Sequence, residues 1–173
     1  MTTTATETTQ VYRVYIKASP EAIWEAITDP AWTNRYGYTG YLHADLRPGG
    51  AMTVVPNDEF KAGAEAQGFP CPDVLVDGEI LEADPPKRLV MTWRFHMVPA
   101  MAEEGFTRVS YDIAVIDGGF CRLTLTHQLE GAPMIAHMVS GADEDAGQGG
   151  GGGWAWVLSD LKSLLETGST LAG

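Results

Sequence analysis

The sequence predicts an α+β domain in which a curved antiparallel sheet of about seven strands wraps around one long C-terminal helix. Three observations predict it. Between residues 39 and 129 apolar residues recur at a period of two, in runs separated by Gly, Pro and Asp turns. Residues 154–168 instead put Trp154, Val157, Leu158, Leu161, Leu164 and Leu165 on one helical stripe, with Ser159, Asp160, Lys162, Ser163 and Glu166 opposite and Gly168 as the stop. A lone long helix beside so many strands has to cover the sheet, and a curved sheet under a helix tends to enclose a cavity.

The elements follow in order. Residues 1–10, rich in threonine, read as a disordered polar tail, and 11–170 as a single domain. Val11–Lys17 alternates around Tyr12, Val14 and Ile16, a first strand. Ser19-Pro20-Glu21 supplies a capping hydroxyl, a proline at the first helical position and an acid at the positive helix end. A short helix through Ile23, Trp24 and Ile27 then stops at Asp29-Pro30, and Asp29 caps a second one carrying Ala31, Trp32 and Tyr36. Tyr41–Leu46 and Ala51–Val55 make a hairpin about Pro48-Gly49-Gly50. Residues 56–72, broken by Pro56, Gly63, Gly68, Pro70 and Pro72, predict a long loop. Val74–Ala83, Arg88–His96, Thr107–Ile116 and Phe120–Leu129 are the remaining strands. The glycine-rich stretch 130–153 reads as the most flexible part of the chain, a lid or simply disordered, and access to a cavity would require it and the Met-rich connection 97–106 to open.

Composition narrows the function. Lys plus Arg number 11 against 23 Asp plus Glu, a formal charge of −12, so the surface repels phosphate backbones and anionic lipid. Nucleic acid and membrane partners are therefore not expected. No apolar run approaches the roughly 20 residues of a membrane span, and the N-terminus lacks the basic start and apolar core of a signal peptide. Cys71 and Cys121 are too few for a disulfide framework, which makes a cytoplasmic protein with reduced thiols the default.

Alternation also sorts side chains by face. Leu89, Met91, Trp93 and Phe95 share one face of their strand, as do Val109, Tyr111, Ile113 and Val115 of the next. Cys121, Leu123, Leu125, His127 and Leu129 share a face of the last. These sets face the helix. Arg94, Arg122, Asp77 and Asp112 fall on the outer phase, where cross-strand ion pairs are expected. Cys121 and His127 lie too far apart along one strand to form a nucleophile pair. The four histidines show no zinc-ligand spacing, no calcium loop or phosphate loop occurs, and neither metal nor cofactor is expected.

The order strand, two short helices, six strands and a long C-terminal helix is a helix-grip arrangement. The segments Val14–Pro30, Gly78–Trp93, Arg122–His127 and Gly153–Glu166 resemble, in that order, the single-domain bacterial relatives of the heat-shock-protein ATPase activator. These belong to the birch-pollen-allergen/START (SRPBCC) superfamily. The resemblance spans about residues 11–168 and implies a START-like helix-grip fold. The 56–72 loop and the glycine run before the last helix are longer than that pattern has.

The leading expectation is a non-catalytic or weakly catalytic protein, monomer or dimer, that binds a small hydrophobic or aromatic molecule of polyketide- or lipid-like character. Trp93, Phe95, Tyr111, Leu125, His127, Trp154, Leu158 and Leu161 would line the cavity, with His127 and Tyr111 orienting polar atoms. The resemblance also implies two alternatives. One is a cyclase, aromatase or hydrolase, or a resistance protein, acting on a polyketide-like product, with His127 or Tyr111 moving the proton. The other is a module that contacts a chaperone ATPase.

Overall fold

The computed structural model describes residues 8–142 and 151–172. Seven strands form one antiparallel sheet in the order β1-β7-β6-β5-β4-β3-β2. β1 (Thr9–Ile16) is one edge and β2 (Tyr41–Ala44) the other, so the chain crosses the whole sheet between them. It does so through α1 (Pro20–Thr28) and α2 (Pro30–Thr33). Ser19 caps the first by accepting from the Ala22 N–H, and Asp29 caps the second by accepting from the Ala31 N–H. From β2 onward each strand pairs with the next: β3 (Ala51–Val55), β4 (Val76–Asp84), β5 (Arg88–Phe95), β6 (Thr107–Ile116) and β7 (Phe120–Gln128). β7 then closes back onto β1 with Tyr12 opposite Leu125.

α6 (Gly153–Thr167) ends at Gly168, which adopts φ 81°, the left-handed stop that the sequence marks. Its Leu158, Leu161 and Leu164 enter the main core with Ile16, Ile23, Leu89, Leu123 and Leu125. Burying each such aliphatic side chain is worth about 1.5–3 kcal/mol, which makes this seam the main attachment of the helix.

Several expectations change. Thr9 and Gln10 already belong to β1, and the rest of the polar tail read for 1–10 falls at residues 1–7, outside the described residues. The 56–72 loop contains α3 (Asp58–Ala66). Asn57 caps it by accepting from the Phe60 N–H, and Asp58 and Glu59 sit at its positive end. Gly63 within it faces open space, so it weakens the helix without breaking it. The 97–106 connection holds one turn, α4 (Pro99–Ala102), and the 130–153 stretch holds α5 (Pro133–Ser140). The remainder of that stretch at 143–150 lies outside the described residues. Val115, placed on the inward phase by alternation, is 68% exposed near the end of β6. Arg94 pairs with Asp77 and Asp112 with Arg88, whereas the buried Nε of Arg122 has no partner among the described residues.

Asp160 is the largest departure from the helix pattern. Expected on the polar side of α6, it is only 3% exposed. Its carboxylate accepts from the Gly37 N–H at 2.8 Å and the Leu171 N–H at 2.7 Å, fastening the turn after α2 and the C-terminal segment to one helix. Asp160→Ala strands two backbone donors and should lower unfolding free energy by about 2–3 kcal/mol. Asp160→Asn keeps an acceptor and should lose about half of that, as read by urea denaturation.

Candidate functional site

Between the concave face of the sheet, α6 and the turn after α2 lies a partly open cavity of about 400 Å3. That volume suits a small organic guest. Its wall is almost wholly apolar, and no Lys, Arg, His, Asp or Glu lines it among the described residues.

One side is aromatic. Trp93 and Phe95, two apart on β5, stack with ring centres 5.9 Å apart and planes 9° from parallel. Trp154, at the start of α6, tilts against Trp93 at 6.1 Å. Trp93, Phe95 and Trp154 also pack against a second small core of Leu129, Ala132, Ile135, Ala136 and Val139, of which Val139 reaches the cavity wall. These side chains therefore lie between cavity and core.

His127 holds that partition from behind. It is fully buried, and the Trp154 Nε1–H donates to its Nδ1 at 3.0 Å. An indole nitrogen can only donate, so Nδ1 carries no proton and the neutral ring carries one on Nε2. Nε2 accordingly donates to the Thr107 hydroxyl at 2.7 Å, and that hydroxyl donates to the Trp93 carbonyl at 3.0 Å. Burial pushes the imidazole pKa down to about 3. The ring is a neutral spacer between Trp154 and β5.

Of the residues expected from alternation, Trp93, Phe95, Tyr111 and Trp154 line the cavity. Leu125, His127, Leu158 and Leu161 are correctly on the inward face but lie behind the lining, packed between layers. Alternation tells which face a side chain takes and not how deep the hollow runs beside it. His127 has both ring nitrogens committed within the protein, so the expected role of orienting polar atoms in the cavity does not fall to it.

Several lining residues escaped sequence reasoning. Tyr36, Tyr38 and Thr39 come from the turn after α2, Phe60 from α3 and Val157 from α6. The Tyr36 hydroxyl donates to the Ala26 carbonyl at 2.9 Å, and burial, then the neighbouring Tyr111, hold its pKa well above normal. The Tyr38 oxygen is held by the backbone at Gly152 and Gly153, which partly offsets the upward push of burial. Thr39 adopts φ 61°, a strained conformation for a β-branched residue. It is kept there by the Asn57 amide, which donates to its hydroxyl at 3.0 Å. A sequence signal existed only for α3: Asn57-Asp58-Glu59 is a helix start.

Gly153 is required where it stands. At φ 60°, a Cβ there would lie 2.2 Å from the Val139 carbonyl oxygen, so only glycine lets α6 begin against α5. α5 is in turn pinned at its start and midway along. Its own cap residue, Ala132, offers no side-chain bond, and Glu104 substitutes by accepting from the Met134 and Ile135 N–H groups at 3.0 and 2.9 Å. Gln10 of β1 donates to the Ala136 carbonyl at 2.9 Å. The two segments expected to open for access to the cavity are thus joined by Glu104.

Two outcomes follow. Free His127 titrates near 6.5 and the folded residue near 3, so between those values the unfolded chain binds the extra proton. This residue's contribution is full above pH 6.5 and is lost on acidification toward pH 3, at up to about 1.4 kcal/mol per unit. The stability gap between wild type and His127→Phe, measured by urea denaturation, should therefore narrow steadily from pH 7 to pH 4. Glu104→Ala should cost about 1 kcal/mol and raise amide exchange at Met134 and Ile135 before exchange in the sheet changes.

Residues 17–166 match the model of the activator of Hsp90 ATPase homolog 1-like protein family. No curated protein sequence matches the chain. Among solved structures it is similar to the Aha1 dimer from Colwellia psychrerythraea, with 19% identity, 92% of this chain and 97% of that one covered, and a TM-score of 0.61. It is similar to DynU16, described as a putative protein in the dynemicin biosynthetic locus, at 19% identity and TM-score 0.61, covering 95% of this chain and 49% of that one. A third is CalU16 from Micromonospora echinospora, at 24% identity and TM-score 0.48, covering 69% of this chain and 59% of that one. The chain thus spans about half to three-fifths of the length of the last two. At these identities the likenesses concern fold. The family match over most of the sequence, carried by the same strands and final helix that enclose the cavity, means that this chain belongs to the activator of Hsp90 ATPase homolog 1-like family.

Proposed function

We propose that this protein binds a small, largely apolar molecule bearing aromatic rings in the cavity between sheet and α6. The observation that carries the reading is a hollow of about 400 Å3 with an aromatic side of Trp93, Phe95 and Trp154 and no charged lining residue among those described. The near-parallel rings of Trp93 and Phe95, with Trp154 tilted beside them, give one wall an aromatic surface against which a planar guest can pack. The thioethers of Met52, Met91, Met97 and Met138 adapt the remaining wall to irregular shapes. A natural product of polyketide type is such a guest, and the likeness to a protein from the dynemicin biosynthetic locus supports that direction.

Binding is favoured over catalysis because the lining carries no carboxylate, imidazole, thiol or amine among the described residues. The remaining titratable lining groups, Tyr36, Tyr38 and Tyr111, are all made weaker acids by burial, which opposes proton transfer near neutrality. The cyclase reading therefore lacks an acid–base pair. The chaperone reading draws on the family alone.

The test is thermal melting and tryptophan fluorescence across a panel of uncharged aromatic and lipid-like compounds, with Nile red as displaceable probe. A guest at one hundred times its Kd should add about 2.7 kcal/mol of stability. Val54→Trp, which fills the cavity from β3, should keep the fold and abolish the shift. Unchanged melting and fluorescence across the whole panel would overturn the proposal.

A further inference from the structure

We infer that the cavity selects an uncharged guest that presents a hydrogen-bond acceptor, a carbonyl or ether oxygen, to the Tyr111 hydroxyl, and that it rejects carboxylate- and phosphate-headed molecules. The inference rests on the binding reading above and narrows its ligand class.

Tyr111 stands in the middle of the sheet, on β6 between Leu89 of β5 and Leu125 of β7, both fully buried. It lines the cavity, yet its hydroxyl has no hydrogen-bond partner among the described residues. Tyr36 and Thr33 give their hydroxyl protons to the Ala26 and Gly40 carbonyls. Thr39 and Tyr38, on the turn after α2, take part through their oxygens, Thr39 accepting from the Asn57 amide, so Tyr111 is the hydroxyl that the sheet wall offers to the cavity. The hydroxyl faces the open space of the cavity, so a pure hydrocarbon that covers it leaves the donor without a partner, whereas an occupant that accepts from Tyr111 does not. Burial also raises the phenol pKa, so the group remains a neutral donor across the physiological range.

The charge argument is separate. An anion entering this space gives up its hydration and finds no cation on the described lining. It must also approach a molecule of formal charge −12. An ammonium group is offered aromatic faces and a negative overall field, but no carboxylate on the described lining pairs with it, so its desolvation is only partly offset. Neutral guests escape both costs.

The test uses four probes of one ring system: anthracene, methyl anthracene-9-carboxylate, anthracene-9-carboxylate and 9-(aminomethyl)anthracene, titrated by fluorescence against the full chain at pH 7.5. The ester should bind at least about tenfold tighter than either charged probe. Tyr111→Phe should weaken the ester by roughly fivefold, leave anthracene unchanged, and leave the melting temperature of the free protein equal or higher. A second variant, Met97→Lys, sets a cation on the lining and should raise affinity for the carboxylate. Equal binding of ester and carboxylate, or tightest binding of the ammonium probe, would overturn the charge selection while leaving the cavity a binding site. Equal weakening of ester and anthracene by Tyr111→Phe would overturn the hydrogen bond. Failure of all four probes to bind would overturn the cavity reading and this inference with it.

Discussion

A neutral imidazole wedged between an indole and a hydroxyl sets the shape of this molecule's interior. His127 receives the Trp154 N–H and gives its own proton to Thr107, which in turn bonds the Trp93 carbonyl. The start of α6 is thereby tied to β5 across β6 and β7. Without that tie, the ring of Trp154 would be free to fall inward, as apolar hollows favour closure by any side chain that can reach them. The cavity persists because its bulkiest neighbours are fastened from behind.

The same logic governs the other borders. The turn after α2 carries a strained Thr39 and two tyrosines, and it is held by Asp160 through Gly37 and by Asn57 through Thr39. α5 is held by Glu104 at its start and by Gln10 further along. Each border therefore depends on a polar anchor that lies outside the lining and leaves the lining itself apolar. A receptor for an uncharged guest needs that separation: polar groups give rigidity where they can be paired and stay away from the space where they would remain unpaired.

Family membership and cavity chemistry bear on different questions. The family model covers 17–166, and the Aha1 and DynU16 structures share the architecture at 19% identity. Such likeness carries the scaffold, and a scaffold of this kind is not itself an activity. Cavity chemistry follows instead from the wall this chain builds, with seven aromatic side chains and four thioethers among the described residues.

Periodicity in the chain was enough to determine the strands, the final helix with its glycine stop, and, Val115 at a strand end apart, the face that the inward residues take. Those are local properties: a period of two or of 3.6 residues is written in the order of side chains. Trp93, Phe95, Tyr111 and Trp154 could be placed on the cavity for that reason. Tertiary structure alone decided which inward residues border empty space and which are packed away, so Leu125, His127, Leu158 and Leu161 lie behind the lining. It alone brought the turn after α2 and α3 to the rim, turned Asp160 from a polar face into a buried anchor, and let Glu104 cap a helix thirty residues further on. These are contacts between segments distant in the chain, and depth, pairing and enclosure come into being only when those segments meet.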